Sequence, residues 1–373
     1  MDTSDQNDRR RFRALGLMSG TSMDGVDAAL IETDGERVFA HGAARTDPYD
    51  GVFQERLRAA KGRAVGPGDG ALARELTERH AASVRRLLAE AKLAPADVDV
   101  IGFHGHTILH DPRRRITCQM GDGRLLAELT GITVVNDFRA RDVAQGGEGA
   151  PLAPLYHAAQ AADLARPLAV LNIGGVANVT WIGAAGDIIA FDTGPGGALL
   201  DDWVRRAIGR PMDEGGRLAR AGRADEAILA RLLADPYFDR SPPKSLDRDH
   251  FAQMTADAVK NLGAADGAAT LARFTALSVA RARAHFPAVP GRWLVCGGGR
   301  RNGYLMAALA AALEMPLGDG VAPVEAVGWR GDALEAEAFA FLAVRSLRGL
   351  PLSLPSTTGV AAPCTGGVLH RSG

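Results

Sequence analysis

RALGLMSGTSMDGVDAALIETDGERVFAH at residues 13–41 and PLAVLNIGGVANVTWIGAAGDIIAFDTG at residues 167–194 read as two versions of one unit. Each opens on a short apolar run, passes through a glycine-rich loop, resumes as an alternating apolar run, and turns at glycine into a third run. Alternation with a period of two is a strand signature, and glycine between two such runs marks a turn. The pattern predicts strand, glycine loop, strand, turn, strand, twice. A duplicated hairpin of this kind implies two related lobes whose tips face a shared cleft. Glycine lets backbone amides approach a polyphosphate, because no Cβ stands in the way.

The rest of the chain alternates strands with helices, so the expected fold class is α/β. Leu72, Leu76, Val84, Leu87 and Ala91 recur at helical spacing, which predicts a helix over 72–91 with His80 as a packing residue. VDVIGF at 98–103 reads as a buried strand that ends at HGHTILH, and ITCQM at 116–120 as a short strand. GDGRLLAELTG reads as a helix with Asp122 near its start and Gly131 as its stop, followed by a strand over 132–136. Residues 137–154 lack periodicity and read as a cleft-lining connection between lobes. Further helices are expected over 198–208, 251–262, 267–285 and 332–348, and a strand, triple glycine and helix over 293–313. The tail from Leu354 reads as loop. The expected lobes are residues 1–140 plus about 345–373, and residues 141–344.

At 373 residues the chain can bury a sizeable core, and a net charge of −1 gives no basic excess for nucleic acid. Arg9, Arg10, Arg11 and Arg13 form a charge cluster in a polar arm, which reads as solvated. The apolar run that follows is too short and glycine-rich for a membrane span or signal peptide. Cys118, Cys296 and Cys364 are odd in number and far apart, as expected of reduced thiols in a cytoplasmic protein.

The loop MSGTSMDGVD at 18–27 concentrates what a phosphate site needs. Gly20 and Gly25 free the backbone, and Ser19, Thr21 and Ser22 offer hydroxyl donors around Met23. Asp24, with Asp27, can hold a Mg2+ through water. The same residues also suit a plain hairpin turn. NIGGVANVT at 172–180 supplies Gly174, Gly175 and Asn178 as the matching second loop. Gly297, Gly298 and Gly299 lie between a strand and a helix, where such a turn packs against an adenine or ribose; a tight strand-to-helix turn is the alternative. Three glycine sites across both halves fit one bound nucleotide, held as the actin-like sugar kinase and chaperone ATPase fold holds ATP.

FDTGPGG at 191–197 is the candidate acid–base centre. Asp192 ends an apolar strand, where a carboxylate can act as general base; the alternative is a cap on the next helix. Asp201 and Asp202 sit in that helix's first turn and read as dipole partners. His104, His106 and His110 lack the carboxylate spacing of a zinc site. Thr107 and Arg141 read as polar substrate contacts, with an ion pair to Asp142 or Glu148 as the alternative for Arg141. Glu335 and Glu337 are both conspicuous in an apolar helix, and periodicity does not choose between them.

Together these motifs resemble the 1,6-anhydro-N-acetylmuramic acid kinase family. The resemblance is carried by GLMSGTSMDGVD at 16–27, IGFHGHT at 101–107, LLAELTGITVVNDFRARDVAQGGEGAPLAP at 125–154, LNIGGVANVT at 171–180, FDTGPGG at 191–197, the glycines at 297–299 and LPSTTG at 354–359. It covers nearly the whole chain from about residue 14. It implies a two-lobed actin-like ATPase (ribonuclease H-like) fold, ATP and Mg2+ as cofactors, and a homodimer. The implied substrate is an anhydro-amino-sugar whose internal ether is opened, giving N-acetylmuramic acid 6-phosphate in peptidoglycan recycling. Asp192 would activate water, and Thr107, Arg141 and Glu335 match the family's sugar contacts. His106 stands where Gln is expected, Gly197 where Asn is expected, and PPKSLDRDHF at 242–251 replaces PKSTGRExF. A levoglucosan-type anhydrosugar kinase is the near alternative, and a non-catalytic actin-like ATP-binding scaffold the far one; an intact Asp192 argues against the scaffold.

Overall fold

The computed structural model describes residues 10–20, 23–62, 70–247 and 249–372. Contacts divide the chain into two units, Met1–Asp163 with Ala333–Gly373, and Leu164–Asp332. Each is built on one of the predicted hairpins.

In unit 1 the strands β1 (Phe12–Ser19), β2 (Gly25–Thr33) and β3 (Val38–Pro48) form an antiparallel meander. β4 (Val100–Asp111) runs parallel to β1, and β6 (Val134–Asn136) parallel to β4. β5 (Ile116–Met120) pairs antiparallel with the far end of β4, and β12 (Val368–His370) closes the other edge on β6. Strand order is β3-β2-β1-β4-β6-β12. Leu15 and Leu17 point to one face and pack with Leu57 of α1 (Gly51–Ala60) and Leu76, Val84 and Leu87 of α2 (Gly70–Ala91). Burial of each such side chain contributes about 1.5–3 kcal/mol. The opposite face carries Gly16 beside Gly102 on adjacent strands. A Cβ on Gly16 would stand 1.7 Å from the carbonyl oxygen of Ala336, and one on Gly102 2.0 Å from that of Phe339. The two glycines therefore make the bare patch on which the backbone of α12 (Leu334–Leu347) lies.

α3 (Gly123–Thr130) begins at Asp122, whose carboxylate accepts the Leu125 N–H, and ends at Gly131 in the left-handed region, as the sequence predicts. α4 (Ala140–Ala144) lies in the segment expected to be irregular, and α5 (Pro154–Gln160) starts at the last residue of that segment. Unit 1 keeps residues 141–163 and 333–344, which the sequence reading assigned to the other lobe. The reason is α12: its buried face covers β1, β2 and β4, and its Glu337 accepts the Tyr156 hydroxyl of α5 at 2.6 Å.

Unit 2 repeats the plan. β7 (Leu168–Ile173), β8 (Val176–Ile182) and β9 (Ile188–Pro195) are antiparallel, β10 (Trp293–Cys296) is parallel to β7, and β11 (Val321–Pro323) is parallel to β10. Its order, β9-β8-β7-β10-β11, is the same 3-2-1-4-5 sequence found from β3 to β6 in unit 1. That order, a meander followed by parallel strands, is ribonuclease H-like, and its duplication is the actin-like ATPase plan. α6 (Ala198–Ile208), α7 (Arg217–Arg220), α8 (Glu226–Leu232), α9 (Ala252–Val259), α10 (Ala264–Ala282) and α11 (Gly303–Leu313) enclose a core containing Phe191, Trp203, Phe274 and Trp293.

Three local expectations differ. β4 does not end at Phe103 but continues to Asp111, because β5 supplies its ladder partners. The triple glycine passes through a 3-10 turn (Gly298–Arg301) before α11. The tail is not wholly loop: α13 (Pro355–Thr358) and β12 lie within it, too short to show a period. Among the described residues no helix is long and apolar enough to cross a membrane.

Candidate active site

Asp192 lies within β9, half-buried, directly opposite Asn178 on β8. Asn178 in turn stands opposite Asn172 on β7. Residues paired across a ladder share a face, so Asn172, Asn178 and Asp192 form one polar row across three strands. Asn172 was missed at the sequence level, although the hairpin register through the glycine loop carried that signal.

Asp192 does not cap the following helix: the N-cap position of α6 is Gly197, which has no side-chain cap. Its carboxylate Oδ2 instead accepts the backbone N–H of Leu246 at 2.8 Å. Its own N–H donates to the Lys244 carbonyl at 3.0 Å, and its carbonyl accepts the Tyr237 hydroxyl at 2.5 Å. The carboxylate is thus oriented from the 242–251 segment, one of the places where the sequence departs from the family pattern. Lys244 and Tyr237 had not been singled out, because neither hydrophobic period nor motif spacing joins them to residue 192. Asp201 is in the first turn of α6, and Asp202 pairs with Arg205 at 2.9 Å.

The second glycine loop is tied to the start of α6: Gly197 N–H donates to Gly174 O at 2.7 Å and Gly196 N–H to Gly175 O at 3.0 Å. The three glycines at 297–299 are not equivalent. Gly297 has φ +74°, and a Cβ there would stand 2.3 Å from Asn172 Oδ1. A Cβ on Gly299 would stand 2.4 Å from Ile173 Cγ2, whereas Gly298 faces open space. A side chain at either of the outer two would collide with β7, whereas Gly298 has room for one.

In unit 1, Thr21 and Ser22 of the first loop lie outside the described residues. Ser19 is 1% exposed, and its hydroxyl accepts that of Tyr49 at 3.0 Å and lies 3.1 Å from His106 Nδ1. Gly20 carbonyl accepts the Met23 N–H at 3.0 Å. Met23 turns at φ +62° and buries its side chain in the core. Gly25 is needed by the strand pairing, since its Cβ would meet Asp47 O at 2.3 Å. The Asp24 carboxylate is exposed at the start of β2, whereas Asp27 accepts the Thr46 hydroxyl at 2.5 Å.

The three histidines of β4 have separate partners. Arg139 Nε donates to His104 Nε2 at 3.1 Å, His106 meets Ser19, and His110 Nδ1 lies 3.0 Å from Thr117 Oγ1. Burial pushes His106 and His110 down to about 4. His104 also falls well below the usual value, through burial and the neighbouring Arg139. A recess of about 270 Å³ in unit 1 is lined by Phe103, His104, Cys118, Asn136, Asp137 and Ala140. Asp137 takes a left-handed backbone, φ +53°, at its wall, a conformation uncommon outside glycine.

Thr107 is half-buried on β4 and accepts a hydrogen bond from Gln119 at 3.3 Å. Arg141 is exposed on α4. It does not pair with Asp142, whose carboxylate accepts the Gly149 N–H at 2.7 Å and the hydroxyls of Thr358, at 2.6 Å, and Ser353. Glu335 is exposed in the first turn of α12, while Glu337 is fully buried between Tyr156 and His41. The ambiguity between the two glutamates is thereby resolved into an exposed and an internal carboxylate.

A family model described as anhydro-N-acetylmuramic acid kinase matches residues 12–372. The chain belongs to the anhydro-N-acetylmuramic acid kinase family. A relative of that name from Rhodospirillum rubrum is 58% identical over 95% of this chain and 93% of its own length. Another from Paramagnetospirillum magneticum is 56% identical over 96% and 99%. Membership makes the chain a kinase. Similar solved structures include the Acidaminococcus fermentans (R)-2-hydroxyglutaryl-CoA dehydratase component A, 15% identical over 89% of this chain and 99% of that one, TM-score 0.46. A ROK family glucokinase from Streptomyces griseus, solved with glucose and AMPPNP, is likewise 15% identical over 89% and 99%, TM-score 0.39.

Proposed function

We propose that this kinase takes 1,6-anhydro-N-acetylmuramic acid and ATP and opens the anhydro ring with water as it transfers phosphate. The products are N-acetylmuramic acid 6-phosphate and ADP. The observation that carries the reading is Asp192, a carboxylate oriented through Leu246 on a sheet strand and absent from the neighbouring helix cap. As general base it takes a proton from water while the water oxygen bonds to the anomeric carbon. The C1–O6 bond breaks, O6 bonds to the γ-phosphorus, ADP leaves, and the proton passes from Asp192 to solvent. A glycosidase needs a second carboxylic acid to protonate the leaving oxygen. Phosphoryl transfer to O6 removes that need, so one carboxylate suffices.

Ser19 to Gly25, Gly174, Gly175 and Gly298 are the proposed phosphate and nucleoside contacts. Mg2+ would arrive with ATP, and the exposed Asp24 carboxylate suits a water-bridged contact to it; the ion's chemistry is charge neutralisation on the phosphates. Thr107, Arg141 and Glu335 are the proposed sugar contacts. The exposed Arg141 favours a substrate with a lactyl carboxylate over levoglucosan.

Turnover in ¹⁸O-water tests the reading. Sampled before the anomeric hydroxyl exchanges, the product should carry label at C1 and none in its phosphate. Label in phosphate marks an ATPase, and an unlabelled product marks a simple hydroxyl kinase; either defeats the proposal. Asp192→Asn should stay folded and lose roughly two to four orders of magnitude in kcat.

A further inference from the structure

Lys244 is 3% exposed; among the described residues no carboxylate forms an ion pair with it, and the exposed Asp239 acts on it only through space. Its Nζ donates to the carbonyls of Tyr237 at 3.2 Å and Phe238 at 3.4 Å. The same ammonium stands 4.8 Å from the ring centre of Tyr237 and 5.7 Å from that of Phe191. Burying a cation without a directly paired carboxylate is costly, and an apolar side chain of similar size commonly serves stability as well or better. The arrangement therefore calls for a reason other than stability.

That reason lies one bond away. Phe191 precedes Asp192 in the chain. Tyr237, under the ammonium, donates its hydroxyl to the Asp192 carbonyl at 2.5 Å. Lys244 itself accepts the Asp192 N–H at 3.0 Å, and Leu246, two residues on, donates to Asp192 Oδ2 at 2.8 Å. The backbone N, the backbone O and the carboxylate of one residue are thus all held by elements that converge on Lys244.

We propose that Lys244 is a positioning residue for Asp192, its ammonium fixing the 237–238 turn and the 244–246 segment so that the carboxylate keeps one orientation. This deepens the reading of Asp192 as general base and rests on it. Lys244 touches neither sugar nor nucleotide in this role. The charge, not only the packing, matters, because the amine holds two carbonyl dipoles and two ring faces together. Burial, with Arg240 nearby, lowers Lys244 to about 8. The titratable groups around it are Tyr237, Asp239 and Arg240 from the turn and His285 beyond α10. Burial and Lys244 lower His285 below its usual value, which keeps it neutral between pH 7 and 9. A basic limb near pH 8 in kcat is therefore assigned to Lys244.

The test uses the full chain with Lys244→Met, Lys244→Gln and Asp192→Asn side by side. Melting temperature, kcat, KM for ATP and the pH dependence of kcat are measured for each. Both lysine variants should melt within a few degrees of wild type and keep KM for ATP within about twofold, while kcat falls roughly tenfold to a hundredfold, the scale of a small misplacement of a reacting group. The basic limb should vanish in both. Should the Met variant fail to fold, Gln retains two N–H donors for the same carbonyls without the charge. Wild-type kcat in a folded lysine variant, with Asp192→Asn inactive, overturns the role of Lys244 alone. A kcat loss matched by the loss of folded protein also overturns it. An active Asp192→Asn variant defeats the underlying assignment of the base instead.

Discussion

Asn178 and Asp192 stand directly opposite each other on β8 and β9, where a bulge at Ala177/Asn178 shifts the ladder by one residue. The pairing sets a neutral amide beside the proposed base. Asn178→Asp would put a second carboxylate there, and adjacent like charges cannot both ionise freely. The acidic limb of kcat should move up by about one pH unit, with a modest loss at pH 8. An unmoved limb in the folded variant would separate this pair from the chemistry.

The glycine cluster gives a second prediction. Gly297→Ala meets both a left-handed backbone and the Asn172 and Ile173 atoms of β7, so it should destabilise unit 2 by about 2 kcal/mol or more. Gly298→Val, in open space, should leave the urea midpoint unchanged and weaken ATP binding by calorimetry. Unchanged ATP affinity would remove this turn from the nucleotide site.

Arg139 and Arg141 are two residues apart and should behave differently. Arg139 is held by His104 and by the Gly149 carbonyl at 2.7 Å, so Arg139→Ala should lower the melting temperature. Its removal breaks partly buried hydrogen bonds, at a cost of about 1–3 kcal/mol. Arg141→Ala should melt as wild type. It should lose far more activity on the muramic substrate than on an anhydrosugar without a carboxylate. Equal losses on both would assign Arg141 to the phosphates.

Acid sensitivity follows from the buried imidazoles. Burial lowers His80 and His106 to about 4 and His157 to about 3, all from an unfolded value of 6.5. Between the folded and unfolded values the unfolded chain binds more protons, so stability rises with pH through that window. It is complete above about pH 6.5 and is lost as pH falls toward 4. Each histidine would cost about 2 kcal/mol by pH 5. Urea midpoints should fall steeply from pH 7.5 to pH 5; a flat profile would mean these rings are solvated.

What the sequence determined by itself is local and periodic. Two hairpins, their glycine tips, the Asp122 and Gly131 ends of α3 and the long helix under Glu337 were legible because each is fixed by neighbours within a few residues. The motifs around 16–27, 125–154 and 191–197 carried the family for the same reason. Tertiary structure decided what depends on distant segments. β4 runs on through its histidines only because β5 pairs with it. Residues 333–344 join unit 1 only because Gly16 and Gly102 leave room for α12. Glu337 is internal and Glu335 exposed by the rotation of one helix against a sheet. Asp192 is oriented by Leu246, 54 residues away. Hydrogen bonds of that span leave no period in the chain, since they are set by how the segments pack and not by any residue's nearest neighbours.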